Sequence, residues 1–183
     1  MIYLFLANGF EEVEALAPLD ILRRAGAEVT TVSVGTANKT VKGAHGIKVE
    51  ADLRDVKMTF DDIDALILPG GMPGAANLDA SKTVDLALAA AQEKGAILAA
   101  ICAAPMVLGK RGYLKGKRAV CFPGFENELA GAIIPQGERV VRDGNVITAV
   151  GMGAALEFGL ELTAALFGAD TANGLAASAK IRL

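Results

Sequence analysis

Cys102 is the residue of this sequence whose surroundings best suit nucleophilic chemistry. It lies in the segment AAICAAP at residues 99–105, where an apolar run gives way to small residues and a proline suited to the first turn of a helix. A helix N-terminus at such a turn stabilises a thiolate, so the pattern predicts a reactive cysteine with a thiol pKa below its ordinary value. The alternative is a buried cysteine that packs as a small hydrophobic residue.

Three carboxylates follow the first apolar run of the chain, and they could supply an acid or base. Glu11 and Glu12 fit an exposed first helical turn, where the helix dipole favours negative charge. Glu14 lies further into the same helix, and Pro18 cannot donate a hydrogen bond to its carbonyl, so we expect a distorted turn there. Glu14 is therefore either an inward-facing acid or a solvated helix charge.

Two glycine-rich segments could hold a negatively charged oxygen or a cofactor. Gly70 and Gly71, in PGG at residues 69–71, could aim backbone N–H groups at an oxyanion, although glycine pairs are more often simple turns. The segment GMGAAL at residues 151–156 begins like a dinucleotide fingerprint, but Leu156 replaces its third glycine. The sequence therefore predicts no nucleotide cofactor.

Alternating strands and helices must position these residues. We predict buried strands at residues 2–6, 28–34, 65–68, 96–101 and 119–122, and helices at 11–25, 81–94 and 154–167, with a short helix after Pro105. A short antiparallel pair is expected within residues 40–50, and a hairpin turn at 142–145. The order predicts an α/β fold with a doubly wound, mostly parallel sheet, helices on both faces and a single domain. Its binding site belongs in the loops after residues 6, 68, 101 and 150, at the carboxyl ends of strands.

Composition excludes several classes of function. The chain has 183 residues, a formal net charge of −3 and a pI near 5.2, so neither nucleic acid nor a membrane surface is an expected partner. No apolar stretch reaches membrane-spanning length and no basic leader is evident, so we expect a cytoplasmic protein. Two cysteines and the single histidine, His45, give neither a disulfide framework nor a zinc site, and no metal is predicted.

The motifs GFEEVE at residues 9–14, LPGG at 68–71 and AICAAP at 100–105, in this order, resemble the ThiJ/PfpI superfamily, and within it the branch of the Parkinson-associated protein deglycase. The similarity covers nearly the whole chain, as one ThiJ/PfpI-like, class I glutamine amidotransferase-like domain over residues 1–183. It implies a flavodoxin-like fold, a reactive Cys102 and a protonated Glu14 that donates a hydrogen bond to the thiolate. Oxyanion donors are implied at Gly70, Gly71 and Ala103.

The resemblance also implies a homodimer, in which Arg24 or His45 of one chain lies near the Cys102 pocket of the other. The implied function is a cofactor-independent glyoxalase or deglycase acting on a small carbonyl substrate, a 2-oxoaldehyde such as methylglyoxal or its adducts. Two alternatives remain open: a cysteine-based oxidative-stress sensor or chaperone with little turnover, and a flavodoxin-like module that binds a small molecule. Many bacterial members carry a thiazole monophosphate biosynthesis label, which is no evidence of that reaction.

Two positions depart from the family pattern. The deglycase branch has a histidine where this chain has Phe122, and the protease branch has a histidine directly after the cysteine, where this chain has Ala103. With no imidazole at either position, a Cys-His peptidase or glutaminase mechanism lacks its base. Peptidase activity is therefore not expected.

Overall fold

Most strands of the fold are short, apolar and parallel. The computed structural model describes residues 1–181, and within them seven strands form the main sheet in the order β5-β2-β1-β6-β7-β9-β8. All neighbouring pairs in this sheet are parallel except β8 and β9. The strands are β1 (Ile2–Ala7), β2 (Val29–Val34), β3 (Thr40–Lys42), β4 (Lys48–Glu50), β5 (Leu53–Arg54), β6 (Ala65–Leu68), β7 (Ile97–Ile101), β8 (Val140–Asp143) and β9 (Val146–Ala149).

Helices cover both faces of this sheet, as the sequence predicted. They are α1 (Glu12–Arg24), α2 (Gly74–Asp79), α3 (Lys82–Glu93), α4 (Pro105–Lys110), α5 (Ala155–Phe167) and α6 (Ala169–Ser178). Side chains of β1 alternate between the faces: Phe5 packs with α2, α3 and α4, whereas Leu4 and Leu6 pack with α1 and α5. Among the described helices, none is long and apolar enough to cross a bilayer.

Helix α1 carries Glu14, the predicted acid, close to its N-terminus, and the contacts of this first turn determine where Glu14 lies. Glu11 caps the helix by accepting a hydrogen bond from the Glu14 N–H at 2.7 Å. The helix runs through Pro18, although the proline leaves the Glu14 carbonyl without its usual helical donor. Helix α5 packs closely at this point, because a Cβ on Gly159 would lie 2.9 Å from the Cα atom of Pro18.

Several local predictions are confirmed, and the prediction of one strand is wrong. The pair β3 and β4 is antiparallel and outside the main sheet, and β8 and β9 form the predicted hairpin. The segment at residues 119–122 is not a strand, because β8 already occupies the sheet edge beside β9. This segment instead forms isolated hydrogen bonds, including one from the Val120 N–H to the Thr148 hydroxyl at 2.9 Å. Helices α2 and α6 were not predicted.

Candidate active site

Cys102 lies directly after β7 in a conformation that few residues adopt. Its φ is +65°, in the left-handed region that costs a non-glycine residue free energy. Two backbone hydrogen bonds hold the turn: the Cys102 N–H donates to the Ala149 carbonyl at 2.9 Å, and the Phe122 N–H donates to the Cys102 carbonyl at 2.8 Å. The turn projects a half-buried thiol at the carboxyl edge of the sheet.

Glu14 meets the thiol from the start of α1. Its side chain is only 1% exposed and forms a hydrogen bond with the Cys102 side chain. The Gly70 N–H donates to Glu14 Oε2 at 3.0 Å, and the Met152 N–H also hydrogen-bonds the carboxyl group. A Cβ on Gly70 would lie 2.6 Å from Glu14 Oε2 and 2.7 Å from Cys102 Cβ, so glycine is required there. The predicted cysteine and acid therefore lie in direct contact.

Burial governs the ionisation of this pair. It raises the pKa of Glu14 from 4.5 to about 7, against the lowering effect of the hydrogen bond to Cys102. Burial, followed by the negative charge of Glu14, raises the pKa of the Cys102 thiol to about 12. The lowered thiol pKa predicted from the turn is therefore wrong for the form in which Glu14 is ionised. The pair therefore loses its first proton near pH 7, from Glu14, and keeps the second on the Cys102 sulfur well above that pH.

Of the backbone amides near the pair, two hydrogen-bond the Cys102 sulfur and two hydrogen-bond the Glu14 carboxyl group. The amides of Gly71 and Ala103 hydrogen-bond the Cys102 sulfur, and both lower the thiol pKa. Gly71 has a φ of +82°, and a Cβ there would lie 2.4 Å from the Glu11 backbone nitrogen, so no other residue fits. The Gly70 amide, predicted as an oxyanion donor, is instead engaged by Glu14. Gly71 and Ala103 are thus the predicted donors that face the sulfur.

Glu12 and His45 form a separate pair beside the site. Glu12 was expected in an exposed turn, but it is only 4% exposed, because its carboxylate accepts a hydrogen bond from the His45 N–H at 2.8 Å. His45 Nδ1 lies 2.9 Å from Glu12 Oε2, while the imidazole remains largely exposed. Glu11, Glu12 and His45 could each bring a metal-ligating atom within 4.8 Å of the others, and the pairing of Glu12 with His45 accounts for that proximity. Arg24 is exposed and pairs with Asp20 at 2.6 Å.

Comparison with known proteins settles the family. The DJ-1/PfpI family model matches residues 1–165. The chain belongs to the DJ-1/PfpI family. A DJ-1 superfamily protein from Salmonella typhimurium, solved as a cysteine-to-alanine mutant, is 34% identical with a TM-score of 0.93, covering 100% of this chain and 98% of that one. These matches confirm both the predicted superfamily and the flavodoxin-like fold.

Relatives in the DJ-1/PfpI family differ in length. DJ-1 homolog A of Arabidopsis thaliana is 39% identical over 92% of this chain, but the chain spans only 43% of that protein. Drosophila melanogaster dj-1beta is 34% identical over 93% of this chain and 91% of its own length. A deglycase from Pyrococcus horikoshii is 36% identical over 79% of this chain and 87% of its own length. The chain therefore spans less than half of the first of these relatives and most of the other two.

An apolar groove lies beside the pair of Cys102 and Glu14 in this DJ-1/PfpI chain. It encloses a cavity of about 600 Å³, and its lining includes Phe122, Pro123, Arg139, Val150, Met152 and Ala154. The sequence drew attention to Phe122 only as a departure from the family pattern, and it gave Met152 no role. Gly151 and Gly153, on either side of Met152, could have indicated that this segment lies at the site, because glycines there mark close backbone approach after β9.

Proposed function

We propose that this chain is a cofactor-independent glyoxalase or deglycase that acts on 2-oxoaldehydes, or on their adducts, through Cys102. The observation that carries the proposal is the direct contact of Cys102 with the buried carboxyl group of Glu14, beside two amide donors to the sulfur. A sulfur nucleophile in contact with a carboxyl group supplies both the attacking atom and the proton transfer that addition to an aldehyde requires.

The first step joins sulfur to the substrate. Glu14 takes the proton of the Cys102 thiol as the sulfur attacks the aldehyde carbon, a C–S bond forms, and the carbonyl electron pair moves to oxygen. The amides of Gly71 and Ala103 stabilise this oxyanion, and the proton on Glu14 is then transferred to it. The product is a hemithioacetal with Glu14 ionised.

The following steps move a hydrogen between two carbons. The Glu14 carboxylate removes the proton from the carbon bound to sulfur, which gives an enediol, and returns it to the neighbouring carbon. The resulting 2-hydroxy thioester is hydrolysed by water, which breaks the C–S bond and releases a 2-hydroxy acid and the Cys102 thiol. The sequence consumes one water and no external oxidant or reductant.

Two further observations support this assignment. The Pyrococcus horikoshii relative is a deglycase, at 36% identity over most of both chains. Phe122 and Ala103 exclude an imidazole from the two positions where relatives have one, so Glu14 is the group placed to move protons at the sulfur. A peptidase mechanism, which needs an imidazole base, is disfavoured for the same reason.

Steady-state turnover of methylglyoxal tests the proposal. Cys102→Ser should abolish turnover, whereas Cys121→Ser is the matched control that removes the other thiol and should retain it. Glu14→Gln preserves the shape of the side chain but cannot transfer a proton. Its turnover should therefore fall by about 10²-fold to 10⁴-fold, the usual contribution of general acid–base catalysis. Absence of Cys102-dependent turnover in the folded wild-type protein would defeat the enzyme assignment.

Oxidation sensing is a second candidate function for the same cysteine. The half-buried Cys102 thiol is next to the amides of Gly71 and Ala103, which could also hold the oxygen atoms of an oxidised sulfur. A relative, Toxoplasma gondii DJ-1, has been solved in an oxidised form at 34% identity. If Cys102 is an oxidation sensor, peroxide treatment should add oxygen atoms to it in a protein that shows no turnover. Peptide mass spectrometry measures this addition.

We also propose that this chain forms a homodimer. Val13 and Ile47 expose apolar side chains beside the pair of Glu12 and His45, and a second chain would cover this surface. In the dimer that the family resemblance implies, Arg24 or His45 of a partner would lie near the Cys102 pocket. Light scattering at micromolar concentration should give the mass of two chains, and a monomeric mass would contradict this arrangement.

A further inference from the structure

The groove beside the reactive pair has apolar walls that remain uncovered in the folded chain. The Phe122 and Met152 side chains, which belong to its lining, are 48% and 54% exposed. Exposed apolar groups gathered around a concave surface favour the binding of an apolar group, because binding removes both surfaces from water.

The groove adjoins the reacting groups through its backbone, although neither Cys102 nor Glu14 belongs to its lining. The Phe122 backbone N–H donates to the Cys102 carbonyl, and the Met152 N–H hydrogen-bonds Glu14. Gly151 lies between them, since a Cβ there would lie 3.3 Å from Phe122 Cδ2 and 3.9 Å from Glu14 Oε1. A substituent on a carbon bound to Cys102 would reach the Phe122 ring by passing the Gly151 backbone, which has no side chain to block it.

The charged residues at the rim of the groove are engaged with the protein itself. Arg139 donates to the Gly153 carbonyl and lies 3.1 Å from Glu157 Oε1. Glu138 forms an ion pair with Arg118. Since each rim charge has an opposite charge beside it, the groove favours an uncharged apolar substituent over a charged one.

We propose that this groove is a specificity subsite for the apolar, above all aromatic, substituent of a 2-oxoaldehyde, with Phe122 as its determining wall. Arylglyoxals such as phenylglyoxal are then better substrates than methylglyoxal. The inference rests on the proposed function for turnover, but the groove also predicts binding that needs no reaction. The products of the two aldehydes, mandelate and lactate, differ in the phenyl ring that would occupy the groove.

Two measurements test the subsite. Titration of the wild-type protein by nuclear magnetic resonance should give mandelate a dissociation constant about tenfold below that of lactate, the scale of a well-buried apolar group. Phe122→Ala should remove this difference, Phe122→Leu should retain part of it, and Leu86→Ala, which truncates an exposed apolar side chain on α3, should leave it unchanged. In kinetics, the ratio of kcat/KM for phenylglyoxal to that for methylglyoxal should fall about tenfold in Phe122→Ala.

The outcomes separate the subsite from the chemistry. Cys102-dependent turnover with equal binding of mandelate and lactate would overturn the subsite and leave the proposed function standing. Tighter mandelate binding that depends on Phe122, without any Cys102-dependent turnover, would support the subsite and overturn the proposed function. If Leu86→Ala lost the difference between mandelate and lactate binding as fully as Phe122→Ala, the subsite would also be overturned, because Leu86 lies outside the groove.

Discussion

Glu14→Gln is expected to remove a pH dependence of folding stability that the wild-type chain carries near neutrality. Burial raises the pKa of Glu14 from 4.5 to about 7, so between these values the folded protein holds a proton that the unfolded chain has lost. At about 1.4 kcal/mol per pKa unit, the complete effect is about 3 kcal/mol. Because the folded state binds more protons, this contribution is fully present below pH 4.5 and is lost as the pH rises through about 7.

Urea unfolding at pH 5 and pH 8 measures this effect. The difference in free energy of unfolding between the wild type and Glu14→Gln should change by about 2 to 3 kcal/mol between the two pH values, with the variant relatively more stable at pH 8. Glu50→Gln is a suitable control, because Glu50 is exposed at the end of β4 and its replacement removes one carboxylate without touching the buried pair.

One result would refute the reasoning. If the wild type and Glu14→Gln lose the same stability between pH 5 and pH 8, Glu14 ionises in the folded protein as it does in the unfolded chain. Burial would then not govern its charge, and a carboxyl group holding a proton near neutrality could no longer be assumed at Cys102.

Three further predictions concern the surroundings of the pair. Gly70→Ala should destabilise the fold by about 1 to 3 kcal/mol in thermal unfolding, because the new Cβ would clash 2.6 Å from Glu14 Oε2, whereas Gly174→Ala in α6 meets nothing within 4 Å and should be neutral or slightly stabilising. Phe122→His should raise kcat for methylglyoxal and add a titration with a pKa of about 6.5 to the pH–rate profile, and an unchanged profile would show that the imidazole does not participate. Maleimide should label the half-buried Cys102 faster than Cys121, which is only 6% exposed, and equal rates by mass spectrometry would contradict the assignment of the reactive thiol.

The parallel sheet could be predicted because its strands are buried on both faces and read as continuous apolar runs. Ile2–Ala7 and Ala65–Leu68 are buried at every position, so composition alone distinguishes them from loops. The segment at residues 119–122 has the same local composition, but β8 occupies the position beside β9 that it would otherwise take. Helix α6 has an interior glycine at 174 and only two buried residues, so its apolar pattern is weak.

The site was predictable in its residues but not in its electrostatics. The segment around Cys102 indicated a strand-to-helix turn, and the structure shows that turn with a φ of +65°. Glu12 could not be predicted as buried, because its partners lie in the loop between β3 and β4, more than 30 residues away. The thiol pKa depends on the Glu14 contact as well as on the helix N-terminus, and local sequence reports only the latter.

Four backbone amides from separate segments influence which of Cys102 and Glu14 holds the proton that the pair retains above pH 7. Gly71 and Ala103 donate to the sulfur and favour the thiolate, whereas Gly70 and Met152 donate to Glu14 and favour the carboxylate. Attack on a carbonyl changes this balance, because the sulfur loses its charge as the C–S bond forms and no longer attracts its two amides. The new oxyanion forms one bond away from the carbon attached to sulfur, within reach of the same donors. Amides that stabilise the nucleophile before attack can thus stabilise the oxygen after it, which lets the turns after β6 and β7 serve both states with the same two donors.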